Sequence, residues 1–296
     1  MNQYDRESPG CRNVKSIAEV PIPLKGKWVF HWNEFRKPIL NSELSNLSRN
    51  EILQKFRLES GESFLKVPSA WGSSEEPDVP KLGQGYGTYK LLVILPPESN
   101  LPIRGISLRI PDLGTSYRLI VNGEKLLEVG RVGKTEADSS PSYFPKLVYL
   151  PESIHQTYEI IFHVSNFHNN RGGMWLRPYL GEMQDFLRQR DFNNFLDTFI
   201  SGAAFLIGLY HIGIFFLRKF EKSSLYFGLY CLLLSFRPLL LNEDLFFTLD
   251  VPNIWTIGIK LRYLTFYFGT PVILLFVYET FPDEMNKKLM VFIVAS

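Results

Sequence analysis

The sequence predicts a multi-domain chain, an all-β jelly-roll sandwich followed by an α-helical transmembrane bundle. Three observations carry this. Short segments before residue 165 alternate or run apolar over strand length, with turn residues between them. Composition then changes: mixed and polar, with Pro and Gly spread through it, up to about residue 190, and strongly apolar after residue 195. Within the apolar part, Thr198–Leu217 (T-F-I-S-G-A-A-F-L-I-G-L-Y-H-I-G-I-F-F-L) carries no Asp, Glu, Lys or Arg. Such a run, at about 1.5 Å per helical residue, spans roughly the 30 Å hydrocarbon core of a bilayer.

Taken in order, residues 1–23 read as an N-terminal extension. M-N-Q-Y-D-R-E-S-P-G-C-R has no apolar stretch of the kind a secretory signal needs, so a further segment upstream is expected. The sandwich is expected over 24–182. Its predicted strands are Lys27–Trp32, Thr88–Leu95, Gly105–Ile110, Tyr117–Val121, Lys146–Leu150 and Tyr158–Val164, with one short helix at Asn41–Lys55. Few helices among short strands imply a sandwich or jelly roll. Trp28, Phe30 and Trp32 alternate onto one face and are expected in the core. Asn122-Gly123 between apolar runs predicts a hairpin whose turn needs positive φ at both positions. Residues 183–197 read as a juxtamembrane linker, and 198–296 as part of a seven-helix membrane domain. Its helices are expected at about 198–217, 223–241 and 261–279, with 289–296 the start of a fourth that continues beyond the sequence.

Loop charge gives orientation. The loop after the first membrane helix holds Arg218, Lys219 and Lys222, and the loop after the second holds Glu243, Asp244 and Asp250. Basic loops stay in the cytoplasm, which places the N-terminal domain on the outer side of a cytoplasmic membrane. Overall, 32 Lys and Arg against 30 Asp and Glu leave no basic excess for phosphate neutralisation, so nucleic acid is excluded as the main partner. Cys11 and Cys231 are the only cysteines, too few for a disulfide framework or a zinc site.

For chemistry, the stretch Ser165–Trp175 (S-N-F-H-N-N-R-G-G-M-W) stands out. Asn166, His168, Asn169, Arg171 and Trp175 read as a ligand rim, with Trp175 stacking and the amides bonding hydroxyls. The structural reading, favoured between the two, is a strand end whose Asn and Gly-Gly residues accept backbone shapes that others resist. One His among neutral amides is a poor metal set. In the membrane part, His211, Arg237 and Arg262 are candidates for transmitting a signal. Ionisable groups in lipid must face the bundle interior or snorkel to a surface. Arg262 sits near a helix end and suits snorkelling, while Arg237, before Pro238, sits deeper. Gly83-Gln-Gly-Tyr-Gly87 precedes a strand and not a helix, against a dinucleotide site. Neither a nucleophile–base pattern nor paired carboxylates nor a cofactor motif stands out, so no enzyme is expected in this segment.

Five motifs carry a resemblance: W-V-F-H-W-N-E-F (28–35), V-P-S-A-W (67–71), G-Y-G-T-Y-K-L (85–91), Y-R-L-I-V-N-G-E-K (117–125) and V-S-N-F-H-N-N-R-G-G-M-W (164–175). In this order they resemble the sugar-binding jelly roll of glycoside hydrolase family 2 and other galactose-binding-like domains. With G-L-Y-H-I-G-I-F-F-L-R-K (208–219) and S-L-Y-F-G-L-Y-C-L-L (224–233), the chain is similar to the bacterial seven-transmembrane receptors with diverse intracellular signalling modules. That resemblance implies a sensor in which the outer domain reads a carbohydrate or other small ligand. The helices then pass the signal to a cytoplasmic output module (a nucleotide cyclase, kinase, diguanylate cyclase or phosphatase), with dimerisation expected through that module. The rival reading is a membrane-anchored carbohydrate-binding or carbohydrate-processing accessory protein. The catalytic barrel of the hydrolase family has no counterpart in the sequence, and a transporter fits less well because no acidic pair lies at mid-membrane.

Overall fold

The computed structural model describes residues 9–14, 21–39, 47–61, 63–73, 83–96, 105–142, 145–153, 156–218, 221–241 and 254–284. The chain divides into two compact units, Met1–Arg188 and Gln189–Ser296.

The first unit holds strands β1 (Cys11–Asn13), β2 (Ile22–Pro23), β3 (Gly26–Trp32), β4 (Phe64–Val67), β5 (Gly85–Ile94) and β6 (Ile106–Ile110). They are followed by β7 (Ser116–Val121), β8 (Glu124–Val129), β9 (Lys146–Tyr149), β10 (Thr157–Asn166) and β11 (Tyr179–Glu182). One sheet runs β4-β3-β5-β10-β7-β8, with β1 added in parallel to β5, and the other runs β2-β11-β6-β9. Apart from β1, every pairing is antiparallel. Side chains of both sheets share one core: Trp28, Phe30, Tyr89, Leu91, Ile160 and Phe162 from the larger, Ile22, Leu108, Ile110 and Leu180 from the smaller. The architecture is therefore a two-sheet β-sandwich. Each fully buried aliphatic or Phe side chain contributes on the order of 1.5–3 kcal/mol by leaving water.

Period-two alternation explains which residues line that core. In β3, Trp28 and Phe30 face it, Trp32 packs at its margin, and Val29 points the other way. The opposite, outer face of the larger sheet is also covered. Helix α1 (Arg49–Ser60) contributes Ile52 and Phe56 to a second, smaller cluster with Val29, Leu92 and Ile94. As a result β5 and β10, the two central strands, are buried on both faces almost throughout. The predicted turn is present, with Asn122 at φ 48° and Gly123 at φ 86°.

Two sequence expectations need correction. The described helix starts at Arg49 and runs past Lys55 to Ser60, while residues 41–46 of the expected one lie outside the described residues. Ser48 caps it by accepting from the Glu51 N–H, while the Glu51 side chain reaches back to Ser48. This capping box, spelled S-R-N-E, sets the start at Arg49. Residues 183–197 are helical: α2 (Met183–Leu217) follows β11 directly and is 35 residues long. Its first turn belongs to the first unit. The Met183 N–H donates to the Gly105 carbonyl at 3.0 Å, and Met183 and Phe186 are buried.

The second unit contains the rest of α2, α3 (Lys222–Leu241, with Pro238 inside it) and α4 (Ile254–Thr280, with Pro271). Among the described residues, α2 is the one helix long and apolar enough to cross a membrane. It is not a buried core helix, since little of its apolar window is covered by protein. Its outward side presents Phe199, Leu206, Tyr210 and Phe216, each more than 60% exposed. Helices α2 and α3 meet at glycines. A Cβ on Gly208 would lie 3.0 Å from the Gly228 carbonyl, and one on Gly228 would lie 2.9 Å from the Gly208 carbonyl. The expected fourth helix at 289–296 lies outside the described residues.

Candidate functional site

The stretch Ser165–Trp175 leaves the end of β10 and closes one end of the sandwich. Asn166 is buried, and both ends of its amide are engaged: Nδ2 donates to the Gly83 carbonyl (2.6 Å) and the Asn169 carbonyl (2.7 Å), and Oδ1 accepts the Asn169 N–H (3.1 Å). Three motifs distant in sequence converge here. The Trp71 N–H donates to the Gly172 carbonyl and the Ser69 N–H to the Met174 carbonyl, each at 3.0 Å. In the core beneath, Tyr89 Oη accepts from Trp71 Nε1 (2.6 Å) and from the Met174 N–H (3.3 Å). Burial raises the Tyr89 pKa well above the usual phenol range, so this hydroxyl stays protonated.

The Gly pair is a packing requirement. A Cβ on Gly172 would lie 2.2 Å from the Gly83 carbonyl oxygen and 2.6 Å from the Trp71 ring. Gly173 sits at φ +89°, and its Cβ would lie 2.7 Å from Trp71. Only hydrogen fits at either place.

The side chains proposed from sequence divide accordingly. Asn166 is inward and structural. Asn169 is half-buried, with Nδ2 3.4 Å from the Gly114 carbonyl. The indole of Trp175 is half-buried and donates Nε1–H to the Leu113 carbonyl (2.8 Å). Arg171 is exposed, and its guanidinium lies over the Trp175 ring at 4.8 Å from the centroid. His168 is exposed. Arg171, Trp175 and Asn169 thus share one surface beside the Leu113–Gly114 turn. An aromatic face, a cation and an amide there match the chemistry of a polar, hydroxyl-bearing ligand. Among the described residues, no group of three or more His, Cys, Asp or Glu is placed to hold a metal ion.

In the second unit, His211 projects from α2 with its ring edge-on to Phe227 of α3 (4.6 Å), and Phe227 meets Phe276 of α4 (5.1 Å). One aromatic chain therefore joins the three helices. Arg237 lies in α3 with its guanidinium 5.8 Å from the Phe266 ring of α4. It borders a groove of about 200 Å³ between those helices, lined also by Tyr230, Leu233, Phe266, Gly269 and Ile273. Arg262 is in α4, and its side chain is outside the described ones.

Sequence reading missed the partners that hold the end together: Trp71, Tyr89, Gly83 and the 113–114 turn. The available signal was the recurrence of small residues and Trp in separate turns, which marks close backbone approach without saying which turns meet.

Three solved structures illustrate what the sandwich is similar to. A glycosyl hydrolase family 2 member from Bacteroides cellulosilyticus aligns with a TM-score of 0.36 and 13% identity over 54% of this chain and 20% of that one. A Ruminococcus gnavus β-glucuronidase aligns with a TM-score of 0.34 and 14% identity over 54% and 28%. A family 2 β-galacturonidase from Eisenbergiella tayi aligns with a TM-score of 0.33 and 14% identity over 55% and 24%. The chain spans less than a third of the length of each of these enzymes. No curated protein matches the chain. Residues 193–296, which contain most of α2 and all of α3 and α4, match the family model described as 7TM diverse intracellular signalling. The helical part of this chain is thus similar to that family, which implies a membrane protein.

Proposed function

We propose that the chain is the sensing and membrane part of a signalling receptor, with the sandwich outside a cytoplasmic membrane and the helices carrying its state inward. The observation that carries this reading is the covalent order: a self-contained sandwich passes, without an intervening loop, from β11 into the helix that opens the matched membrane family. The proposed ligand is a carbohydrate or another small polar molecule, with Trp175 as its stacking face and Arg171 and Asn169 as hydrogen-bonding groups. His211, Arg237 and Arg262 are proposed to transmit. The output would be a cytoplasmic cyclase, kinase, diguanylate cyclase or phosphatase, dimerising there, with no catalysis in the segment described.

The test is a calorimetric screen of neutral sugars, uronic acids and small polar ligands against the outer unit, repeated with Trp175→Ala and Arg171→Ala. Loss of a stacked aromatic at a site centre costs about 2 kcal/mol or more, some thirtyfold in affinity. Weakened binding with an unchanged melt supports the site. A collapsed melt for Trp175→Ala with normal binding by Arg171→Ala assigns the stretch to architecture. Binding that, in the full chain, leaves the helices unchanged favours the accessory-protein reading.

A further inference from the structure

The outer face of the larger sheet carries polar side chains at alternate positions of its two central strands: Thr88 and Lys90 in β5, Glu159 and His163 in β10. All four are buried, none more than 6% exposed. A polar face on a sheet ordinarily looks into water. Here the segment following β3, residues 33–39, lies across it as a strap.

Each of the four polar groups ties that strap down. Thr88 Oγ1 donates to the Glu34 carbonyl (2.6 Å) and accepts the Arg36 N–H (3.0 Å). Lys90 Nζ donates to the Lys37 carbonyl (2.7 Å). Both carboxylate oxygens of Glu159 accept the Ile39 N–H, at 2.8 and 3.1 Å, with Lys90 Nζ 3.7 Å away. His163 Nε2 is 2.9 Å from the Arg36 carbonyl, so Nε2 carries the hydrogen, and the ring stacks near Phe35 at 4.9 Å. This assigns the tautomer: Nδ1 is the bare nitrogen, buried and without a hydrogen-bond partner.

We propose that protons are a second input to this domain, and that protonation of His163 releases the strap at residues 33–39. A proton on Nδ1 would add an N–H with no acceptor and a positive charge in a covered place. The charged neighbours are Lys90 of β5, Arg118 of β7 and Glu128 of β8, while the strap meets the ring through the Arg36 carbonyl, the Arg36 guanidinium pairing with Glu34. Burial first, then Arg118 and Lys90, hold the ring's pKa below its ordinary 6.5, against the Arg36 carbonyl and Glu128, which favour the charged form. The sign follows. A His with a lowered folded pKa gives a closed strap that is fully stable above 6.5 and weakens as pH falls below it.

The strap's near end leads to the candidate ligand surface. The Asn33 N–H donates to the Tyr86 carbonyl (2.9 Å), and the preceding Trp32 packs edge-on against Trp71 at 4.8 Å. Trp71 in turn holds Gly172. Release of the strap loosens the chain directly after Trp32, so acidity and ligand would act on the same turn. That consequence rests on the receptor reading; the switch itself does not.

The experiment is amide hydrogen exchange by mass spectrometry on the full chain in detergent, at pH values from 8 to 5, corrected for intrinsic rates. Peptides covering 33–39 should lose protection below pH 6.5, by up to about tenfold per pH unit for a single linked proton. Peptides covering β11 should stay protected. His163→Phe, which keeps the stacked ring and cannot take a proton, should abolish the pH dependence. Exchange at the His163 ring carbon gives the titration directly in the unaltered protein, and its midpoint should track strap opening. A strap equally protected at pH 8 and 5, the same loss in His163→Phe, or a ring midpoint at or above 6.5 would each overturn the proposal. None of these readouts involves a ligand, so their failure is separate from failure of the receptor reading.

Discussion

Substituting Gly172 by Ala puts the architecture of the sandwich end to a quantitative test. The added Cβ would lie 2.2 Å from the Gly83 carbonyl oxygen, 2.6 Å from the Trp71 ring and 2.8 Å from Asn166 Nδ2. Neither a backbone carbonyl nor a buried indole can swing aside as a flexible chain end would, so the turn must shift. Overpacking of this kind costs about 1–3 kcal/mol. The shift also strains the Trp71 N–H to Gly172 carbonyl bond and the Asn166 to Gly83 bond, each worth about 1 kcal/mol. A total of about 3–5 kcal/mol lowers the melting temperature of a domain this size by about 6–20 °C. The assay is a thermal melt followed by circular dichroism on the first unit, residues 1–188, expected to be β-rich and cooperative alone. Arg171→Ala is the comparison, because it removes only an exposed cation over Trp175, worth about 0.5–1 kcal/mol. If Gly172→Ala melts within 2 °C of the parent, or if Arg171→Ala falls as far, the reasoning about close approach is wrong.

Three further outcomes are expected. Glu128 takes hydrogen bonds from Arg118, Lys125 and the Val132 N–H, which outweigh its burial and hold its pKa down to about 2. Stability from this cluster is therefore present above the ordinary carboxylate value and lost as pH falls toward 2, and the melting difference between parent and Glu128→Gln should shrink over that window. Gly228→Leu places a side chain where a Cβ already lies 2.9 Å from the Gly208 carbonyl; disulfide trapping between cysteines introduced on α2 and α3 should fall sharply, while Leu229→Ala, on an exposed position, leaves it unchanged. Reporter fusions should place Lys222 in the cytoplasm and Asp250 on the other side, the opposite pattern rejecting the proposed orientation.

How much was legible in the sequence depends on the distance over which the cause acts. Strand positions and the Asn122-Gly123 hairpin are local, set by alternation and by positive φ, and they appear nearly where expected. The helix start is also written locally, in the Ser48 and Glu51 capping box. The strap was illegible as such. Thr88, Lys90, Glu159 and His163 look like the solvent side of ordinary strands, and nothing near them says that residues 33–39 return to cover them. The candidate ligand stretch shows the same limit. Its Gly-Gly pair announces close approach, but that Trp71 is what approaches depends on a loop a hundred residues earlier. The segment read as a linker at 183–197 is part of a helix anchored at Met183 and Phe186.

The place of β10 in the larger sheet has a consequence for how the chain is made. This strand lies between β5 and β7 and supplies Tyr158, Ile160, Phe162 and Val164 to the core. Until residue 166 has left the ribosome, β5 lacks its partner along its whole length, from Ile94 opposite Thr157 to Gly85 opposite Asn166. The smaller sheet waits longer still, because β2 and β6 are joined only through β11 at Tyr179–Glu182. Long-range pairings of this kind form slowly, since distant segments must be brought together before any contact rewards them. The sandwich thus first becomes able to close when Glu182, the residue just before α2, has left the ribosome, by which time α2 is already being made. A pause placed in the message just after this point would give the strands time to pair, and a faster passage through it would leave β5 with an open edge exposed to other chains.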